Sequence, residues 1–528
     1  MHRLLTGFVL LAVILGASVA SAQIAAVGTV RGYVKDSQGG VLPGVSVTAT
    51  SPTVPAPTVV VTDEQGFYRL VDLAPGDYRI EAELQGFKRY VREGVSVRAG
   101  LNLDLDIQMS IGGLEEVVEV TAETPLLETQ KAATAVNISG EMQRDLPLSS
   151  RGQFADFLEV TPGVAARAGD ATGGGQIYMV RGGELENHVI QLDGADMGSF
   201  RQNRADRLLM LNTDAIGDVQ VKTAAVDASV PLGSGAVINV STKSGTDQIR
   251  GAFGIIFTPE AWNGNNAGAG TVRFNEILQP DISLGGPLMR GKAWIYGAYR
   301  YTRQTSGIGR SPEQLAVLGA LVPGFTPFNN NVDAHNYYVK GTAQFSPQHQ
   351  VTVFYENDRH PEEGNREWYG SKLLVTEAGG IGVGGRLQSV WNGSLTARVM
   401  FSYNDKTTNS KFDLYTDYIN PGPSQSVHES AFISSGRLRG TGEIALLNND
   451  GSFGISPASK TTFQGDITYY KAGWAGTHEF QTGLFIQALR NSNEVKYPDN
   501  GFALEELVLR DPANPASGLI PFHRRVYD

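Results

Sequence analysis

Apolar and polar residues alternate along most of this chain. Leu101, Leu103, Leu105, Ile107 and Met109 interleave with Asn102, Asp104, Asp106 and Gln108. Tyr78, Ile80, Ala82 and Leu84 interleave with Arg79, Glu81 and Glu83, and Val45, Val47 and Ala49 with Ser46, Thr48 and Thr50. Side chains two apart share a face, so this period predicts strands with one buried face. Gly39-Gly40, Pro43-Gly44, Glu64-Gln65-Gly66 and Pro75-Gly76 supply turns between them. Roughly seven short strands within residues 23–112 predict a small β-sandwich.

The alternation returns after residue 250 in longer stretches. Leu395, Ala397, Val399, Phe401 and Tyr403 alternate with Thr396, Arg398, Met400, Ser402 and Asn404. Tyr337, Val339, Gly341, Ala343 and Phe345 alternate with Asn336, Tyr338, Lys340, Thr342 and Gln344, and Phe463, Gly465, Ile467 and Tyr469 with Thr462, Gln464, Asp466 and Thr468. Strands of about ten residues, apolar outside and polar inside, suit a membrane barrel with a wet interior. Short links near 288–292, 346–349, 391–394 and 472–476 alternate with long ones near 305–334, 359–383 and 406–458. That rhythm predicts periplasmic turns and extracellular loops. Trp294, Tyr403 and Tyr470 suit an interfacial girdle.

Export is written at the start. His2 and Arg3 precede the apolar stretch Leu4 to Val19, and Ala20-Ser21-Ala22 offers a small-residue cleavage site before Gln23. Residues 1–22 are therefore predicted to be a signal peptide, cut between Ala22 and Gln23. The 528 residues allow about three to five domains. A net charge of −11 argues against nucleic acid as a partner. No Cys is present, which excludes disulfides, thiolate metal sites and a cysteine nucleophile.

Between the two alternating regions, residues 113–250 carry a series of words. Glu115-Glu116-Val117-Val118-Glu119-Val120-Thr121 is a short extended segment that could add to a partner's sheet edge or be one more ordinary strand. Leu146-Pro147, Pro162-Gly163-Val164, Arg181-Gly182, Leu192-Asp193-Gly194 and Asn239-Val240-Ser241-Thr242-Lys243-Ser244-Gly245 follow. Phe154, Phe157 and Leu158 lie at helical spacing.

Two resemblances are carried by these residues. Gly32-Tyr33-Val34-Lys35-Asp36, Gly40 to Val45, Thr62 to Tyr68, Leu73 to Tyr78 and Gly86-Phe87 resemble the carboxypeptidase-regulatory-like domain, also described as a carbohydrate-binding-like fold. The words of residues 113–250 resemble the plug domain of TonB-dependent outer-membrane receptors. Leu284 to Leu288, followed by Trp294 to Gly297, is similar to that family's first barrel hairpin. The expected fold is mainly β: an Ig-like β-sandwich (23–112), an α+β plug (113–250) and part of an antiparallel transmembrane β-barrel (251–528). About nine to eleven strands are countable, short of the roughly 22 of plugged transporter barrels. The expectation is thus the front half of a longer receptor.

The resemblance implies an outer-membrane receptor and transporter, not an enzyme, with its sandwich in the periplasm. It would take up a scarce siderophore, oligosaccharide or peptide by energised displacement of the plug. Glu116, Val117, Val118, Glu119, Val120 and Thr121 would be the TonB box or lie close to it. The implied partners are a TonB-type inner-membrane energising complex, the barrel-assembly machinery, outer-membrane lipid and an extracellular substrate of unknown identity; no cofactor is implied. The alternative is an outer-membrane or periplasmic module that binds peptide or glycan without active transport.

Three further motifs are discounted. His360-Pro361-Glu362-Glu363 has the spacing of a zinc pair, but Pro interrupts it and it reads as an exposed loop. Gly380-Ile381-Gly382-Val383-Gly384-Gly385 matches a dinucleotide fingerprint without the helix that must follow, and reads as a flexible loop. Thr242-Lys243-Ser244-Gly245 lacks the phosphate-cradling glycines.

Overall fold

The computed structural model describes residues 27–112, 117–120, 134–145, 158, 160–167, 177–180, 189–198, 213–224, 236–262, 275–322, 324–364, 370, 372–392, 394–412, 424–428, 433–434, 437–438, 443–447, 453–471, 478–492, 494–496, 503–511, 514–517 and 519–526. The described chain is mainly β, as the alternation predicts.

The front of the chain is a two-sheet sandwich. β1 (Gly28–Asp36), β4 (Phe67–Leu73), β7 (Asn102–Asp104) and β8 (Ile107–Met109) form one sheet. β2 (Ser46–Thr50), β3 (Thr58–Val61), β5 (Gly76–Glu83), β6 (Arg89–Val97) and β9 (Val117–Val120) form the other, in the order β3-β2-β5-β6-β9. Val45, Val47, Ala49, Ile80, Ala82, Leu103, Leu105 and Ile107 point between the sheets and are buried together. Tyr78 donates its hydroxyl to the Ala74 carbonyl at 2.8 Å and Tyr68 to the Leu105 carbonyl at 2.6 Å, so neither buried phenol is left unpaired. The turns follow from the sequence. Asp63 accepts from the Gln65 and Phe67 amides at 3.0 and 2.9 Å, and Gly66 takes φ +71 to close the loop.

The second unit is a five-stranded mixed sheet. β10 (Thr134–Ser139), β13 (Val189–Leu192), β14 (Ala195–Asp196), β15 (Ile216–Ala224) and β16 (Val237–Thr242) run in the order β10-β15-β16-β13-β14. β11 (Val164–Arg167) and β12 (Ile177–Val180) make a separate hairpin. A single helical turn and a half, Gly140–Asp145, follows β10. Every residue of β13 and β16 is buried, so neither strand alternates, and Gln191 and Asn239 lie inside among the apolar residues.

The third unit is a sheet of long antiparallel strands. β17 (Arg250–Thr258), β18 (Asn275–Met289), β19 (Ala293–Ser306), β20 (Asn330–Ser346) and β21 (His349–Asn357) pair in sequence. β22 (Glu362–Gly364) and β23 (Leu373–Glu377) form a short hairpin on the far end of β20. β24 (Gly380–Asn392) and β25 (Leu395–Lys406) continue the wall. The link after β25 holds β26 (Thr408–Phe412), β27 (Ser424–His428), β28 (Ile433–Ser434), β29 (Arg437–Leu438), β30 (Glu443–Leu447) and β31 (Phe453–Ser456). β32 (Ala458–Lys471) then pairs with β25, and β33 (His478–Asn491) with β32. Short links join β18 to β19, β20 to β21, β24 to β25 and β32 to β33 at one end of the wall; the long links lie at the other.

The burial pattern of this sheet is inverted. On β25, Phe401 is 48% exposed while Ser402 is 2% exposed. On β20, Tyr337 and Val339 are exposed and Asn336, Tyr338, Lys340 and Thr342 are buried. Phe253, Ile255, Ile282, Leu284, Val353, Phe463 and Ile467 also lie on the exposed face. Apolar residues outside and polar ones inside are the arrangement a membrane-spanning sheet requires. The five-stranded sheet fills the polar side. Its core residues Ile190, Leu192, Val219, Ile238 and Val240 are continuous with Tyr296, Tyr338, Phe354 and Met400 of the wall. Among the described residues no helix is long and apolar enough to cross a membrane.

Candidate functional site

The segment singled out in the sequence is a strand. Val117–Val120 is β9, which runs parallel to β6 with Arg89, Tyr90, Val91 and Arg92 opposite Val117, Val118, Glu119 and Val120. It is the last strand of its sheet, and among the described residues β6 is its sole neighbour. The segment is thus the edge strand of the sandwich's own sheet, and among the described residues nothing pairs with its outer edge. Glu116 and Thr121, which flank it, lie outside the described residues, as do Ala22 and Gln23 of the cleavage site.

The plug-like sheet is seated in the wall by buried polar contacts. Asp193 and Gly194 both have positive φ, +50 and +86, in the tight turn from β13 to β14. That turn aims the Asp193 carboxylate at β20. The carboxylate accepts from the Thr242 amide at 2.9 Å, the Thr242 hydroxyl at 2.5 Å and the Tyr338 hydroxyl at 2.8 Å. Lys340 Nζ lies 3.2 Å from it and donates to the Thr242 carbonyl at 3.2 Å. Burial alone would raise the Asp193 pKa; the Lys340 charge and the bonds from Thr242 and Tyr338 outweigh it and hold the carboxyl below its usual value. Two more contacts reach the wall. Asp196 pairs with Lys460 at 2.6 Å and accepts from Gln487 at 3.1 Å, and Arg300 donates to the Thr213 hydroxyl at 2.8 Å.

The sandwich sits over this plug at the short-link end of the wall. The Ala99 amide donates to Asp218 on β15 at 3.1 Å. Its carbonyl accepts from Asn137 at 3.2 Å and from Gln220. Burial pushes the Asp218 carboxyl up, against the bonds from Asn137 and Ala99. β4 makes the contact to the wall. Tyr68 and Leu70 face the sandwich core, while Phe67, Arg69 and Val71 alternate with them and are also buried. The Phe67 ring stacks on Tyr470 with centroids 4.5 Å apart and planes 7° apart. Arg69 pairs with Glu479 at 3.0 Å and lies over the Tyr470 ring. Arg398 stands between Asp466 at 3.5 Å and Asp72 of the sandwich at 4.0 Å. Tyr470 and Glu479 flank the short link between β32 and β33, so the sandwich occupies the mouth on that side.

Three sequence readings are corrected. Trp294 is fully buried and donates to Asp247 at 2.7 Å, and Tyr470 is buried beneath Phe67, so neither stands in an outward-facing girdle. His360 is fully buried, not in an exposed loop: its amide donates to the Ala378 carbonyl at 2.9 Å and its Nδ1 lies 2.7 Å from the Asp358 carbonyl oxygen. Glu362 beside it begins β22. Among the described residues no group of His, Cys, Asp or Glu is placed to hold a metal. Gly380 to Gly385 are strand β24, not a loop. A Cβ at Gly384 would strike the Phe354 ring and one at Gly382 the Glu356 carboxylate, so these glycines make room for side chains inside the wall. Sequence reasoning missed the seat and the mouth contacts. Leu192-Asp193-Gly194 stands out in the sequence only as one of the plug-like words, and the Lys340 and Tyr338 partners of Asp193 come from a distant strand. The chain also hides a buried Lys406 between Glu356 and Asp358, each at 2.7 Å.

Residues 29–110 match the carboxypeptidase regulatory-like domain, and residues 129–238 match the TonB-dependent receptor plug domain. The chain is 27% identical over 305 residues to the TonB-dependent transporter Oar of Myxococcus xanthus, covering 56% of this chain and 28% of that one. Among solved structures it is similar to the siderophore receptor PirA of Acinetobacter baumannii, with 14% identity, a TM-score of 0.45, and 71% of this chain and 50% of that one covered. It is also similar to the outer-membrane transporter YddB of Escherichia coli, with 11% identity, a TM-score of 0.46, and 75% and 52% covered. The chain thus spans about half the length of these solved receptors and 28% of the curated relative.

Proposed function

We propose that this chain, which carries a TonB-dependent receptor plug domain behind a carboxypeptidase regulatory-like domain, works in a transporter of the Gram-negative outer membrane. The wall β17–β25 with β32 and β33 stands in lipid, the plug closes its lumen, and the sandwich lies in the periplasm. Residues 23–112, 113–250 and 251–528 are its sandwich, plug and leading barrel strands. The protein moves a substrate and catalyses no reaction. A TonB-type inner-membrane complex grips Glu116, Val117, Val118, Glu119, Val120 and Thr121, and its pull loosens the plug. Barrel-assembly machinery places the wall in the membrane, and Ala22–Gln23 is the processing site. The substrate is a scarce solute of the siderophore, oligosaccharide or peptide kind.

One observation carries this reading: a sheet with its apolar face exposed holds a second sheet against its polar face through Asp193, Thr242, Tyr338 and Lys340. A passive binding module has no use for a plug seated by a breakable polar contact. The test is deletion of residues 115–122 in the full receptor in its own cells. Outer-membrane vesicles bearing the deletion should lose capture of the TonB-type partner's periplasmic domain, and the cells should lose energised uptake while surface binding persists. Unchanged capture and uptake would favour the passive module.

A further inference from the structure

β9 is held by the sandwich, and the sandwich is held by the plug and the wall. The covalent route from β9 to the plug runs through the thirteen residues between Val120 and Thr134. At about 3.3–3.6 Å per residue that length of chain can reach roughly 45 Å before it draws taut. The non-covalent route is shorter. β9 pairs directly with β6, and Ala99, two residues beyond β6, is bonded to Asp218, Asn137 and Gln220 of the plug. A strand arriving at the open edge of β9 gains a hydrogen-bond ladder without breaking the β6–β9 ladder. Displacing β9 from β6 would instead forfeit that ladder and expose the β6 edge.

The contacts at the mouth are also of a kind that separates. β4 is buried on both sides, one by the sandwich core and the other by the wall. The wall side rests on the Phe67–Tyr470 stack and two ion pairs, Arg69–Glu479 and Asp72–Arg398. These are few and separate contacts: the Arg398–Asp72 pair is long at 4.0 Å, Glu479 keeps about a third of its side chain in solvent, and one ring stack adds little beside the continuous apolar core inside the sandwich.

We propose that the sandwich is a removable cap on the plug and that β9 is its handle: an energised partner strand joins β9's outer edge and lifts the sandwich off the mouth as one body, before the plug itself is drawn. This rests on β9 being the partner segment. The sandwich therefore undocks where it meets its neighbours, at β4 on the wall and at Ala99 on the plug, and not between β6 and β9.

These 528 residues contain no Cys, so the test uses a full receptor in which any cysteine elsewhere is replaced by serine. In the full receptor in its own cells, Val71→Cys places a thiol on the buried, wall-facing side of β4 with little change in volume. N-ethylmaleimide should label it in energised cells and fail to do so after a protonophore or in the 115–122 deletion. A second variant, Arg92→Cys with Val120→Cys, joins register partners of β6 and β9 by a disulfide. Energised labelling at residue 71 should survive that lock. Labelling that never responds to energisation would overturn the cap, as would its loss in the locked receptor and recovery with a reductant. If the deletion leaves capture of the partner's periplasmic domain intact, the segment assignment fails instead, and the two failures are told apart.

Discussion

The sandwich and the wall are written in the same alternation and fold inside out with respect to each other. In the sandwich, Val47, Ala49, Ile80 and Ala82 turn inward and are buried, while Glu81 and Glu83 turn outward. In the wall, Val399, Phe401, Phe463 and Ile467 turn outward, while Ser402, Asn404, Gln464 and Asp466 are buried. The period fixes that a strand has two faces; the surroundings decide which face is the inside. A sandwich meets water on its outer face and hides its apolar side. A wall in lipid shows its apolar side and must satisfy polar groups within, here against a plug.

That contrast can be broken from its polar interior first. Lys340→Ala leaves Asp193 buried without its cation, a loss of about 3–5 kcal/mol in plug seating. The expected result is protease cleavage of the plug at lower urea, with the wall still heat-modifiable on gels. Ile80→Ala empties the apolar interior of the sandwich and should cost about 2–5 kcal/mol, read as a lower denaturant midpoint for the sandwich alone. Ile467→Lys puts a charge on the wall's outer face. It should cost about 2–4 kcal/mol at mid-membrane, seen as a smaller heat-modifiable fraction, whereas Ile467→Ala should cost far less than Ile80→Ala. This pair separates the two regions most cleanly, because the same deletion is severe in one and mild in the other.

The smallest expected effect is on pH. The Asp193 pKa is depressed in the seated plug, so its contribution is intact above the usual carboxylate value of about 3.9. It is lost as pH falls below that value through the depressed pKa. Plug protection from protease should hold through neutral and mildly acid pH and fall below about pH 4, and Asp193→Asn should remove the pH step.

Much of this was legible in sequence because it is local. Alternation over Leu395 to Asn404 marks β25, and the spacing of short and long links gives the hairpins, since strand period and turn chemistry are properties of neighbouring residues. What was not legible depends on residues far apart. His360 lies in a polar stretch and reads as surface, yet it is fully buried, with its amide bonded to the Ala378 carbonyl of the returning chain. Gly380 to Gly385 read as loop because glycine has low strand preference; the Phe354 ring and Glu356 carboxylate that need the space belong to another strand. The same holds for β9. Its alternation announces a strand, but only the fold shows that its neighbour is β6.

The most direct test of the inside-out account is a single-cysteine scan along β25, Leu395–Lys406, in the full receptor with any cysteine outside these 528 residues replaced by serine, spin-labelled in bilayers. The account predicts that oxygen, concentrated in lipid, relaxes labels at 399, 401 and 403 and spares those at 400, 402 and 404. Equal relaxation on both faces, or the opposite alternation, would contradict it.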